Sequence, residues 1–101
     1  NLSFNEIREI KGLDKLDELR KLNLSDNKIV AIEGLNSLRK LEFLDLSYNR
    51  IIKIEGLNML EKLCNLNLFS NEIKEIKGLE WLDELHKLNL SDNKIVDIQE
   101  D

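Results

Sequence analysis

The sequence has no proline, one cysteine, one histidine, four glycines and five aromatic residues in 101 positions. Each scarcity removes a class of chemistry. A lone cysteine closes no internal disulfide, and together with the one histidine it leaves a tetrahedral zinc site two ligands short. The glycines stand singly at 22-residue intervals, so no glycine-rich loop is present to cradle a phosphate. No apolar run approaches the ~20 residues that a membrane span requires. No succession of charged, apolar and small residues at the N-terminus reads as a signal peptide, and a reducing, cytoplasmic setting is the expectation. Fifteen Lys and Arg face 20 Asp and Glu, and the net charge of -5 opposes adhesion to nucleic acid or anionic lipid.

What the chain has in abundance is leucine and isoleucine, 21 and 11 residues respectively. Written in rows of 22 that begin at Asn1, Asn23, Asp45, Asn67 and Asn89, these residues fall into columns. Leucine fills five columns, those of Leu13, Leu16, Leu19, Leu22 and Leu24 and their equivalents in other rows. Isoleucine fills two, those of Ile7 and Ile10, running down to Ile95 and Ile98, and only Ile52 stands off the pattern. Columns of Asn5, Asn27, Asn49, Asn71, Asn93 and of Gly12, Gly34, Gly56, Gly78 complete the frame.

Spacing within a row assigns the local structure. Leu13, Leu16, Leu19 and Leu22 recur at the three-residue period of a 3₁₀ or tight helical turn, whereas Leu22 and Leu24 alternate with polar neighbours as in a strand. One row cannot enclose its own leucines. Stacked rows, ~4.8 Å apart, enclose them in a continuous core beneath a parallel sheet. The expected fold is an α/β solenoid: a single domain over residues 1–101, with a short parallel sheet on the concave face and short helical or 3₁₀ turns on the convex face. The asparagine column follows each strand where the chain turns, and an amide side chain there satisfies backbone groups of both kinds.

The run Leu-x-x-Leu-x-Leu-x-x-Asn-x-Ile-x-x-Ile-x-Gly-Leu, found at Leu19 to Leu35, Leu41 to Leu57 and Leu63 to Leu79, resembles the leucine-rich repeat. Its 22-residue length and Ile-x-x-Ile-x-Gly-Leu ending are similar to the subclass named for a regulatory subunit of type-1 protein phosphatase. The resemblance implies cytoplasmic, nuclear, centrosomal or ciliary adaptors that bind proteins on the concave sheet. Some relatives sit in RNA-processing complexes, and bacterial surface internalins use a similar repeat length. Neither end carries an amphipathic capping helix, which points to a fragment of a longer protein or an engineered array, with end-to-end self-association through open rows as a further expectation. Rows one and four agree at 16 of 22 positions.

With the frame set aside, the residues beside the strand leucines project from the concave face. Phe43, Tyr48 and Phe69 are the candidate apolar anchors for a protein partner, with Asp45, Asn65 and Asn67 as polar contacts. Lys21 and Lys87 flank them as secondary candidates. Met59 and Trp81 form a further candidate pair on the convex side. Cys64, His86 and Glu42 share one column, an order of residue types reminiscent of nucleophilic catalysis, but an open sheet offers no oxyanion donors and no pocket. Rows one to three are each neutral, and the whole -5 falls in residues 67–101, so no phosphate-tracking stripe exists. The expectation is a non-enzymatic adaptor or scaffold module, without cofactor or metal, whose partner is a protein rather than nucleic acid or membrane. The rival is a structural or engineered repeat scaffold without a dedicated ligand; a more distant one is a subunit of an RNA-processing complex.

Overall fold

The computed structural model describes residues 2–95; Asn1, Val96 and Ile98 lie outside them. Four strands follow one another along the chain, β1 (Lys21–Asn23), β2 (Phe43–Asp45), β3 (Asn65–Asn67) and β4 (Lys87–Asn89). They pair in parallel in that order, and the register sets Leu22 beside Leu44, Leu44 beside Leu66 and Leu66 beside Leu88. The register is therefore the 22-residue row itself. Beyond each strand the ladder continues, with Leu24 N–H donating to Asp45 O at 2.8 Å and Leu46 N–H to Asn67 O at 2.8 Å. Leu2 N–H joins the first row to β1 through Asn23 O.

The core lies behind the sheet and runs its length. Leu24, Ile29, Ile32, Leu35, Leu38, Leu41, Leu46, Ile51, Leu57, Leu60 and Leu63 are fully buried, and burying one such side chain is worth about 1.5–3 kcal/mol. Leu2, Leu16 and Leu88, frame residues with a column neighbour on one side only, are exposed.

The three-residue period on the convex side is realised as turns laid head to tail, and no helix is present among the described residues. Leu38 N–H donates to Leu35 O at 3.0 Å and Leu41 N–H to Leu38 O at 3.1 Å, and the same pair of bonds recurs at Leu57, Leu60 and Leu63. These are the i to i+3 bonds of a 3₁₀ turn without its continuation. Between the leucines stand exposed residues such as Arg39, Lys40, Glu61 and Lys62. Apart from an Arg39 N–H to Ser37 O bond at 2.9 Å, the turn bonds among the described residues run between leucines of the frame.

The asparagines tie rows together. Asn49 Nδ2 donates to Leu46 O and Ser47 O in its own row and to Leu24 O in the row before, while its Oδ1 accepts the Ile29 N–H of that preceding row at 3.0 Å. Asn27, Asn71 and Asn93 repeat the arrangement on Ile7, Ile51 and Ile73. Among the described residues, Asn5 bonds only Leu2 O and Ser3 O of its own row.

Candidate functional site

The concave face is built from the residues that alternate with the buried strand leucines. A shallow groove of about 380 Å³ crosses β1 to β3, lined by Lys21, Asn23, Phe43, Asp45, Asn65 and Asn67 over the floor of Leu22 and Leu44. Phe43 is 39% exposed, and the Lys21 ammonium lies 5.3 Å from its ring centroid in cation–π contact. Tyr48 is 51% exposed and meets Phe69 edge-on, with 5.4 Å between centroids and 75° between ring planes.

The three aromatic candidates are thus divided into a ring covered by Lys21 and a separate edge-to-face pair. The sequence columns put all three in the middle rows but not this division. Asn65 is half-buried at the groove, and Lys87 is exposed at the start of β4.

Asp45 and Asn67 have a structural task as well. Asp45 Oδ1 accepts the Ser47 N–H at 3.0 Å and the Ser47 hydroxyl at 2.6 Å, and Asn67 Oδ1 accepts the Phe69 N–H at 3.0 Å. Asn23 and Asn89 do the same for Ser25 and Ser91. These are Asx turns that end each strand. The Asx-x-Ser spacing in four rows was the sequence signal for them. Phe69 stands where other rows place that serine, so its row lacks the hydroxyl bond and presents a ring instead.

The next column carries a second feature. Phe4, Asp26, Tyr48, Ser70 and Asp92 all have φ between 56 and 58°, the left-handed region. Asp and Ser tolerate this corner through short polar side chains, whereas a bulky aromatic is an outlier there. Phe4 and Tyr48 are not folded over the turn: Phe4 is 80% exposed.

On the convex side, Met59 and Trp81 sit inside the Leu57 to Leu60 and Leu79 to Leu82 turns. Met59 is half-buried, and Trp81 is 68% exposed in a groove that Met59 does not line. Ile52, off the leucine and isoleucine pattern, is exposed beside Val30 and lines a groove of about 260 Å³ with Lys53, Ile54, Lys74, Glu75 and Lys77.

The Cys64, His86 and Glu42 column is in register, with Cys64 N–H donating to Glu42 O and His86 N–H to Cys64 O, each at 2.9 Å. The Cys64 and Glu42 side chains are directed to other tasks. The Cys64 thiol donates to the Glu42 carbonyl at 3.4 Å, and the Glu42 carboxylate pairs with Arg20 at 3.2 Å. Among the described residues no group of three or more His, Cys, Asp and Glu is placed to hold a metal ion, and no helix is long and apolar enough to cross a membrane.

A profile described as leucine rich repeats, two copies, matches residues 17–61 and again 39–81. Comparison with curated proteins finds no match. Among solved structures, the internalin inlF from Listeria monocytogenes is similar, with a TM-score of 0.86 and 30% identity over 96% of this chain and 28% of that one. The internalin C2 of the same organism has a TM-score of 0.81 and 32% identity, covering 92% of this chain and 41% of its own. The functional domain of InlJ from Listeria monocytogenes, at 21% identity and a TM-score of 0.64, shares the fold over 96% of this chain and 26% of its own. This chain therefore spans well under half the length of each of these proteins. The 22-residue rows, the in-register parallel sheet and a repeat profile matched across residues 17–81 make this chain a member of the leucine-rich repeat family, whose domains are typically non-enzymatic protein-interaction modules.

Proposed function

We propose that this chain binds a protein partner on its concave face, with Phe43 and the Tyr48–Phe69 pair as apolar anchors and Asp45, Asn65 and Asn67 as polar contacts. One observation carries the reading. Phe43 and Tyr48, both exposed, and the half-buried Phe69 occupy concave columns where other rows place Lys, Asn, Asp or Ser, with Phe4 of the first row the one exception, and Tyr48 does so at φ 57°, a conformation that a bulky residue adopts only at an energetic cost. The sheet is held by row-to-row hydrogen bonds before any partner arrives, so little conformational freedom is lost on binding and a few anchors suffice.

The absence of a net basic row in residues 1–95 supports a protein partner over nucleic acid or an anionic membrane. The Ile-x-x-Ile-x-Gly-Leu row ending supports the phosphatase-regulatory-subunit subclass and its adaptor role, and the single free Cys64 supports a reducing, cytoplasmic setting. The likeness to internalins supports a protein-binding surface without selecting its partner.

The test replaces one ring of each anchor group by the residue that other rows carry, Phe43→Lys as in Lys21 and Lys87, and Phe69→Ser as in Ser25, Ser47 and Ser91. A partner captured by the unaltered chain is expected to be lost by the double variant at unchanged circular dichroism. Retained capture overturns the concave reading. If the chain also proves to associate with itself through the exposed leucines of its outer rows, the scaffold reading takes its place.

A further inference from the structure

We infer that the convex groove around Trp81 is a second docking site, independent of the concave face, for a cationic segment of a partner protein whose arginine side chain stacks on the indole. The observations come from the side of the solenoid opposite the sheet. Trp81 is 68% exposed and stands in the column where the first three rows carry Lys15, Ser37 and Met59. It opens onto a groove of about 460 Å³ lined by Asn58, Glu61, Lys62, Asp83 and Glu84.

Charge complementarity names the occupant. Three carboxylates and one ammonium line the groove beside the indole, and among the described residues none of the four is engaged in an ion pair. The contrast lies in the same columns two rows earlier, where Glu18 and Lys40 pair at 3.0 Å. A guanidinium is planar, weakly hydrated and suited to lie on an indole face while donating to carboxylates at its edge. An anionic or purely aliphatic segment would meet the uncompensated carboxylates instead. The same convex positions carry Asn36, Ser37, Arg39 and Lys40 in the second row, and the first row repeats the acidic pair as Asp17 and Glu18 but has Lys15 in place of the indole, so the ring beside carboxylates is particular to Trp81.

Trp81 is the only tryptophan in the chain, so its fluorescence reports this groove alone. The probe is a fluorescein-labelled Gly-Ser peptide bearing three arginines, titrated against the whole chain and followed by anisotropy and by Trp81 emission. Saturable binding with quenching of Trp81 is expected. Asp83→Asn with Glu84→Gln should weaken it about three- to tenfold, since two exposed charge contacts are lost. Trp81→Ser should weaken it by a similar factor. Asp14→Asn with Asp17→Asn removes the same charge from the first-row turn and should leave binding within twofold.

Equal weakening by both acidic pairs overturns the proposal, because it would reduce the effect to attraction by net charge. Binding without quenching of Trp81 overturns it as well. So does a concentration-dependent dimer abolished by Trp81→Ser, which would make a second copy the occupant. Emission already shifted to the blue and unresponsive to peptide in a longer chain would make a neighbouring segment the occupant and likewise overturn it.

Discussion

Gly56 lies so close to the carbonyl oxygen of Ile32 in the preceding row that a Cβ there would overlap it. The same approach joins Gly34 to Ile10 and Gly78 to Ile54, whereas Gly12, in the first row, has open space at the equivalent point. All four have positive φ, between 73 and 83° for Gly34, Gly78 and Gly12 and 72° for Gly56.

This pairing separates two penalties that are usually mixed. Gly12→Ala should lose about 1–2 kcal/mol, the price of the left-handed conformation for a residue with a Cβ. Gly56→Ala should lose at least ~2 kcal/mol more, because the rows must part to admit the methyl group. Urea denaturation of the two variants measures the difference, and equal losses would refute the close-approach account.

Asn49→Ala is expected to destabilise the chain by about 1–3 kcal/mol. It leaves the buried Ile29 N–H without its acceptor and takes one of two amide donors from the Leu24 and Leu46 carbonyls, which keep Asn27 and Asn71. Asn5→Ala, at an exposed site that among the described residues bonds only its own row, should lose less than ~1 kcal/mol. Chemical denaturation of both variants checks the ratio.

The left-handed corner predicts a gain. Phe4→Asn should raise stability by roughly 0.5–1 kcal/mol, since asparagine tolerates this conformation and the exposed Phe4 ring has no aromatic partner among the described residues. At Tyr48 the same relief competes with loss of the Phe69 contact. A double-mutant cycle on Tyr48 and Phe69 should return a coupling of about 0.5–1.5 kcal/mol.

Phe69→Ser should leave stability within about 1 kcal/mol, because the new hydroxyl can donate to Asn67 Oδ1 as Ser25 does to Asn23 at 2.7 Å. Partner affinity, by contrast, should fall at least tenfold if the ring is an anchor worth roughly 1.5 kcal/mol or more. Thermal unfolding together with titration of the partner separates the two effects.

These contrasts also show which parts of the molecule the sequence discloses. Columns disclose the core, because Leu22, Leu44 and Leu66 have identical surroundings and identity recurs wherever surroundings do. The asparagine ladder is legible for the same reason. The left-handed corner is not, because Phe4 and Tyr48 are residue types that argue against it, and only Asp26, Asp92 and Ser70 hint at the backbone beneath. The helical turns expected on the convex side become separate turns; a period of three is shared by both and does not decide between them. Phe43 and the Tyr48–Phe69 pair fall apart because columns give neighbours in the sheet but not the direction a ring takes at a bend in the chain.

The asparagine bonds all point one way along the stack. Ile7, Ile29, Ile51 and Ile73 each have their amide hydrogen held by the row that follows, never by the row before. The solenoid is therefore polar in the order in which its rows complete one another. Loosening the fourth row strips Ile51 of its acceptor, Asn71, and loosening the first strips Asn27 of the Ile7 N–H and of the Leu2 carbonyl. Amide exchange at these four isoleucines therefore reads, for each row, whether the row that follows it is in place.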